Sequence, residues 1–255
     1  MENWLLAGAT VLAVLGGGLG IRAVQRGRHS YWTLLCMAVA FVLQLGFLVI
    51  RGRQQGSCPL NDYGEIQVFL AWSLVMFYLL IGPAYRLSLL GLFTAPVVAV
   101  FQLIALFPGM LTEVTGRAGG KVDPWREAHA ALSVLSYGAF ALAAVAGLMF
   151  LVLNRQLKDR RFGTGLFQGL PPVRSLSACV VRLTGCGVLI LSVGIVSGFM
   201  MGSKGGGAHF VAAIVTWAAY AGLLGLFFWR GITPKRMALG VLTVFVFSLL
   251  DFFFV

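Results

Sequence analysis

The stretch HAALSVLSYGAFALAAVAGLMFLVL, residues 129–153, is 25 residues long and carries no charge after its opening histidine. As a helix rising about 1.5 Å per residue it is long enough to cross a hydrocarbon layer of about 30 Å. At helical spacing His129 shares a face with Ser133, Ser136, Phe140, Ala144 and Gly147, a small and polar stripe in a run otherwise built of Leu, Val and Ala. A stripe of that kind belongs against protein rather than lipid, because it leaves room for a neighbour and places hydroxyls where partners exist.

Working outward, further apolar runs of similar length lie at roughly 4–21, 31–50, 66–84, 87–108, 179–201, 208–229 and 235–255. With 59% hydrophobic residues, 11% charged residues and a mean hydropathy of +0.92, the 255-residue chain has too little polar surface for a water-soluble core. The expectation is an all-α membrane protein, a bundle of about eight transmembrane helices forming one integral domain over residues 1–255.

Charge sets the orientation. The first run is followed, not preceded, by Arg22, Arg26 and Arg28 and has no small-residue cleavage site, so it reads as a retained helix rather than a signal peptide. If those arginines mark the inner side, alternation places 12 basic residues in inner loops, among them Arg86, Arg155, Lys158, Arg160, Arg161 and Arg230, against 6 in outer loops, including Arg51, Arg53 and Lys121. Both termini are then predicted to face outward. Trp4 and Trp125 near the outer boundary, with Trp32 and Trp229 near the inner one, read as interfacial anchors. The net charge of +11 is spread over short loops beside spans, which argues against a nucleic-acid partner and for membrane lipids.

Several motifs fail. Gly116 to Lys121 lacks both the preceding glycine and the following Ser or Thr of a phosphate loop, and Gly16, Gly17, Gly18 and Gly20 lie within an apolar run rather than between strand and helix. Cys36, Cys58, Cys179 and Cys186 form no CxxC, so neither a paired-cysteine zinc site nor an outer-face disulfide is indicated. Gly194, Gly198 and Gly202, four apart, form a ridge without side chains where another helix can approach closely. Pro96 is expected to kink the fourth span. Glu65, at the outer start of the third span, is expected to cap that helix or to contact the loop before His129.

The chemistry-bearing residues are two histidines. His129 opens the fifth span, and His209 opens the seventh at the head of a stripe through Ala213, Thr216 and Tyr220. The predicted topology puts both at one depth on the outer face. Neutral imidazoles are good axial ligands to heme iron, and an ionisable group at a span end is a functional candidate. His29, beside Arg28 and Ser30, has no partner at its level and reads as an interfacial residue.

Cys58-Pro59-Leu60, Tyr63, Glu65 and Phe69-Leu70-Ala71-Trp72 resemble the outer loop and third span of cytochrome c assembly membrane proteins of the CcsA and HemX-like group. His129, Tyr137, Phe140, Ala143, Gly147 and Phe150-Leu151, then Arg155-Gln156-Leu157-Lys158, are similar to that group's histidine-led span and its basic exit. Leu170-Pro171-Pro172, Arg182-Leu183, Gly194-Ile195, Gly198, Trp217 and Tyr220 follow in the same order, so the likeness covers about residues 58–230. The tryptophan-rich WWD segment of the heme-delivering members is absent: Met201 to Ala208 contains no tryptophan.

The resemblance implies a multi-pass protein of the bacterial inner membrane that takes part in cytochrome c biogenesis and binds or passes heme b near the outer face. It makes His129 a heme ligand and likens His209 to a histidine of the HemX-like branch. Covalent attachment of heme needs a reduced CxxCH acceptor and a thiol-reducing system, which this chain does not supply. No catalytic activity of its own is therefore expected, and the implied partners are heme, apocytochrome c and other assembly subunits. Two other readings stay open: a non-heme regulatory or scaffolding membrane protein affecting heme biosynthesis or respiratory-complex assembly, and a small-molecule transporter.

Overall fold

A computed structural model describes residues 2–25, 31–81, 88–112, 123–158, 173–201 and 208–249. The described chain is helical throughout its regular structure, with eight helices: α1 Glu2–Gln25, α2 Tyr31–Gln55, α3 Tyr63–Ile81, α4 Ser88–Ala105, α5 Pro124–Lys158, α6 Val173–Phe199, α7 Ala208–Arg230 and α8 Pro234–Ser248. Among the described residues six of them (α1, α2, α3, α5, α6 and α7) are long and apolar enough to cross a membrane, and α4 is a shorter apolar helix. This is the helical membrane bundle expected from the apolar runs. Trp4, Trp32, Trp125 and Trp229 are half-exposed to exposed near helix ends, where interfacial anchors belong.

The helices fall into two compact units, α1–α4 and α5–α8. In the first, α1 packs on α2 and α4, and α3 packs on α2 and α4. The glycine run of α1 explains the closest of these approaches. A β-carbon on Gly16 would lie 3.0 Å from the Cys36 side chain and one on Gly20 3.2 Å from Thr33 Oγ1, so α2 sits where those side chains are missing. Thr33 Oγ1 uses the proximity to donate to the Gly16 carbonyl at 3.0 Å. Helices inside a membrane gain little hydrophobic driving force from meeting each other, which leaves small-residue contact and interhelical hydrogen bonds to hold them.

Helix ends follow backbone chemistry rather than the apolar runs. α2 continues past Ile50 through Arg51 and Arg53 and stops where Gly56 takes φ +68° and returns its N–H to the Gly52 carbonyl at 2.8 Å. The two arginines expected in an outer loop are thus helical. α7 ends at Gly231, φ +60°, and α8 begins two residues later with Thr233 as N-cap and Pro234 in its first turn. α4 runs through Pro96, which points outward from the packed face.

In the second unit α5 packs most extensively on α6 and also on α8, while α7 packs on α6 and α8. The small and polar stripe of α5 is buried along its length, from His129 through Ser133, Ser136, Phe140 and Ala144 to Gly147. Ala213, Thr216 and Tyr220 of α7 are buried as well.

Candidate functional site

His129 lies in the second turn of α5 and is 7% exposed. Its Nδ1 lies 2.7 Å from the Gly194 carbonyl of α6, a hydrogen bond that a protonated Nδ1 donates. The glycine ridge makes this possible. A β-carbon on Gly198 would stand 2.9 Å from His129 Nδ1 and 2.6 Å from the Phe210 ring, and one on Gly194 would meet the backbone and side chain of Ser133 at 3.4 Å. The expected role of the ridge as a close-packing face holds for Gly194 and Gly198; Gly202 lies outside the described residues.

Donation from Nδ1 to a carbonyl selects the tautomer. In a neutral ring it puts the lone pair on Nε2, the arrangement that ligating histidines commonly have, with the second nitrogen tied to a carbonyl or carboxylate. One turn further along the same face, Ser133 Oγ is buried without a hydrogen-bond partner among the described residues. Phe210 of α7 tilts against the imidazole with ring centroids 5.8 Å apart, and Phe199 meets Phe210 edge-on at 5.1 Å. Deeper in the unit Phe140 stacks on Tyr220 at 3.8 Å. Two ring pairs therefore bring α5 and α7 together, one of them at the level of His129.

Position 209 immediately precedes Phe210 in the first turn of α7, one turn before the buried Ala213. The His209 side chain lies outside the described residues, as do His29 and Asp251.

The first unit holds a polar centre that the sequence reading missed. Arg51, counted above as an outer-loop cation, is 2% exposed. Its guanidinium meets Glu65 Oε1 at 2.8 Å, Glu2 Oε1 at 3.0 Å and Asp62 Oδ2 at 3.2 Å, and donates to the Thr112 carbonyl at 2.9 Å. Glu65 has no exposure; it also accepts from Gln55 Nε2 and, at 3.0 Å, from the Asn61 N–H. Through that last bond Glu65, in the first turn of α3, reaches back past the N-cap position and ties down the segment that leads into the helix. Thr112 closes the cage through its N–H and hydroxyl on Asp62 Oδ2, at 3.2 and 2.7 Å. Gly64 lets it close, because its N–H bonds the Met110 carbonyl at 2.8 Å where a β-carbon would collide with that oxygen at 2.6 Å. A signal for the cage was present: Arg51 continues the buried stripe Thr33, Met37, Ala40, Gln44, Phe47 and Leu48 of α2.

Residues 61–255 match the family model described as Cytochrome C assembly protein. The chain is 25% identical over 258 residues to the cytochrome c biogenesis protein CcsA of Synechococcus sp. (strain CC9605), covering 90% of this chain and 84% of that one. It is 25% identical over 198 residues to CcsA of Chlamydomonas reinhardtii, covering 73% of this chain but 55% of the algal protein, so it spans little more than half of that relative. To Protein HemX of Brevibacillus brevis it is 28% identical over 177 residues, 69% of this chain and 64% of that one. The match takes in α3 to α8, including the histidine-led α5 and the glycine ridge it packs on, and on that extent the chain belongs to the cytochrome c assembly protein family.

Proposed function

We propose that this multi-pass membrane protein serves cytochrome c biogenesis by binding heme near the outer face and passing it on. His129 would be one ligand to the heme iron, through Nε2, and His209 would be the second. The observation that carries the reading is the hydrogen bond between His129 Nδ1 and the Gly194 carbonyl, which fixes the ring and its tautomer as a ligand requires. Heme supplies an iron that takes imidazole nitrogens axially, and it is the cargo. The chain's own residues hold the imidazole, pack Phe210 against it, and leave Ser133 Oγ as a buried hydroxyl one turn away. We assign the heme as b type, since no CxxCH is present to attach it. The membrane is the bacterial inner membrane, and the partners are apocytochrome c and other assembly subunits.

The test is the absorption spectrum of detergent-purified protein, oxidised and reduced, beside His129→Ala and His209→Ala. A low-spin b-type spectrum altered in both variants is expected. A protein that stays colourless after heme supplementation would refute the proposal and favour a regulatory or scaffolding role.

A further inference from the structure

Gln44 of α2 and Gln102 of α4 are both fully buried, and neither the oxygen nor the nitrogen of either carboxamide has a hydrogen-bond partner among the described residues. Leaving such a group unpaired in an apolar interior costs about 1–3 kcal/mol on mutational scales and more against hydrocarbon. Four such atoms in one unit call for a ligand.

The helix geometry puts the two side chains at one level. Leu6, Phe47, Leu48, Val68 and Ala105 form an apolar layer shared by α1, α2, α3 and α4. Gln44 lies three and four residues before Phe47 and Leu48, and Gln102 three residues before Ala105, so each sits one turn below that layer on the same face. With one intervening helix between them, α2 and α4 run parallel, and they touch. At the corresponding turn α1 contributes the fully buried Ala9 and the buried Thr10, whose hydroxyl is already committed to the Leu6 carbonyl at 2.8 Å. Above the layer Arg51 is fully engaged by Glu2, Asp62, Glu65 and Thr112, so no charge is available to either glutamine from that side.

The ligand must therefore be neutral and small, and must both donate and accept, because each carboxamide offers an acceptor oxygen and two N–H donors. Water meets all three conditions, and buried waters usually serve polar groups that the protein leaves unpaired. We infer that Gln44 and Gln102 form an internal water site inside the first helical unit, sealed from the Arg51 cage by the apolar layer.

Water-edited solid-state NMR on glutamine-labelled full-length protein in lipid bilayers tests this, with the two side-chain signals assigned by their loss in Gln44→Leu and Gln102→Leu. Transfer from water to both carboxamides is expected in the wild type, and either substitution should abolish the transfer to the remaining partner. Absence of transfer to either carboxamide in the wild type would overturn the site. So would transfer to Gln102 that is unchanged in Gln44→Leu, or a direct hydrogen bond between the two carboxamides. If a variant fails to fold, assignment by sequential labelling keeps the wild-type measurement decisive.

Discussion

Replacing Arg51 with methionine keeps the length of the side chain and removes the cation that, among the described residues, pairs with Glu2, Asp62 and Glu65. At separations of 2.8–3.2 Å and an effective dielectric near 20, each ion pair is worth about 5–6 kcal/mol before the cost of desolvation. Much of that gain offsets the burial of the ions, so the measurable loss on removing one partner of a buried pair is about 3–5 kcal/mol. Glu65 sets the upper end, since it has no exposure and would be left charged beside two other carboxylates. Glu65→Gln behaves differently. It removes one of three anions, leaves Arg51 with two, and keeps an oxygen to accept from Asn61, so a cost of about 1–3 kcal/mol is expected. The reasoning thus predicts an asymmetry of about 2 kcal/mol between two substitutions at the same ion pair. It also predicts that the double variant is more stable than Arg51→Met alone. Denaturant unfolding in detergent, followed by tryptophan fluorescence, measures all three. Equal costs for the two single variants, or a double variant less stable than Arg51→Met, would refute the surplus of negative charge on which the argument rests.

Three further substitutions probe helix contacts. Gly198→Ala places a methyl within 2.6 Å of the Phe210 ring and 2.9 Å of His129 Nδ1, so it should destabilise by about 1–3 kcal/mol; Gly185→Ala, with nothing within 4 Å, should be neutral or stabilise by up to about 1 kcal/mol, and thermal unfolding of both variants checks the contrast. Thr33→Val removes the bond from α2 to the Gly16 carbonyl and should cost about 0.6 kcal/mol, the usual worth of an interhelical hydrogen bond in a membrane protein, read from the unfolding midpoint.

The number and order of the helices were legible because a bilayer imposes a length on apolar runs, and residues 129–153 satisfy it without a charge. Helix ends were less legible. Charge marks where the membrane stops, whereas the helix stops where the backbone allows it, as at Gly56 after α2 and at Gly231 after α7. The buried stripes of α5 and α7 could be read from their spacing, as could the glycine ridge of α6, because small residues four apart have few other uses in a span. The hydrogen bond from His129 to the carbonyl at position 194 could not, since it depends on the register between two helices 65 residues apart in sequence. The Arg51 cage was hidden for the same reason: its anions come from positions 2, 62 and 65, and an arginine just past an apolar run looks like an inside–outside marker unless its place on the buried stripe is weighed.

The most direct test of the account is the low-temperature electron paramagnetic resonance spectrum of the heme-loaded protein as wild type and as His129→Gly, with and without added imidazole. The account predicts a low-spin bis-imidazole signal in the wild type, lost in His129→Gly and restored by imidazole filling the space beside Gly194. A low-spin signal unchanged in His129→Gly would contradict it.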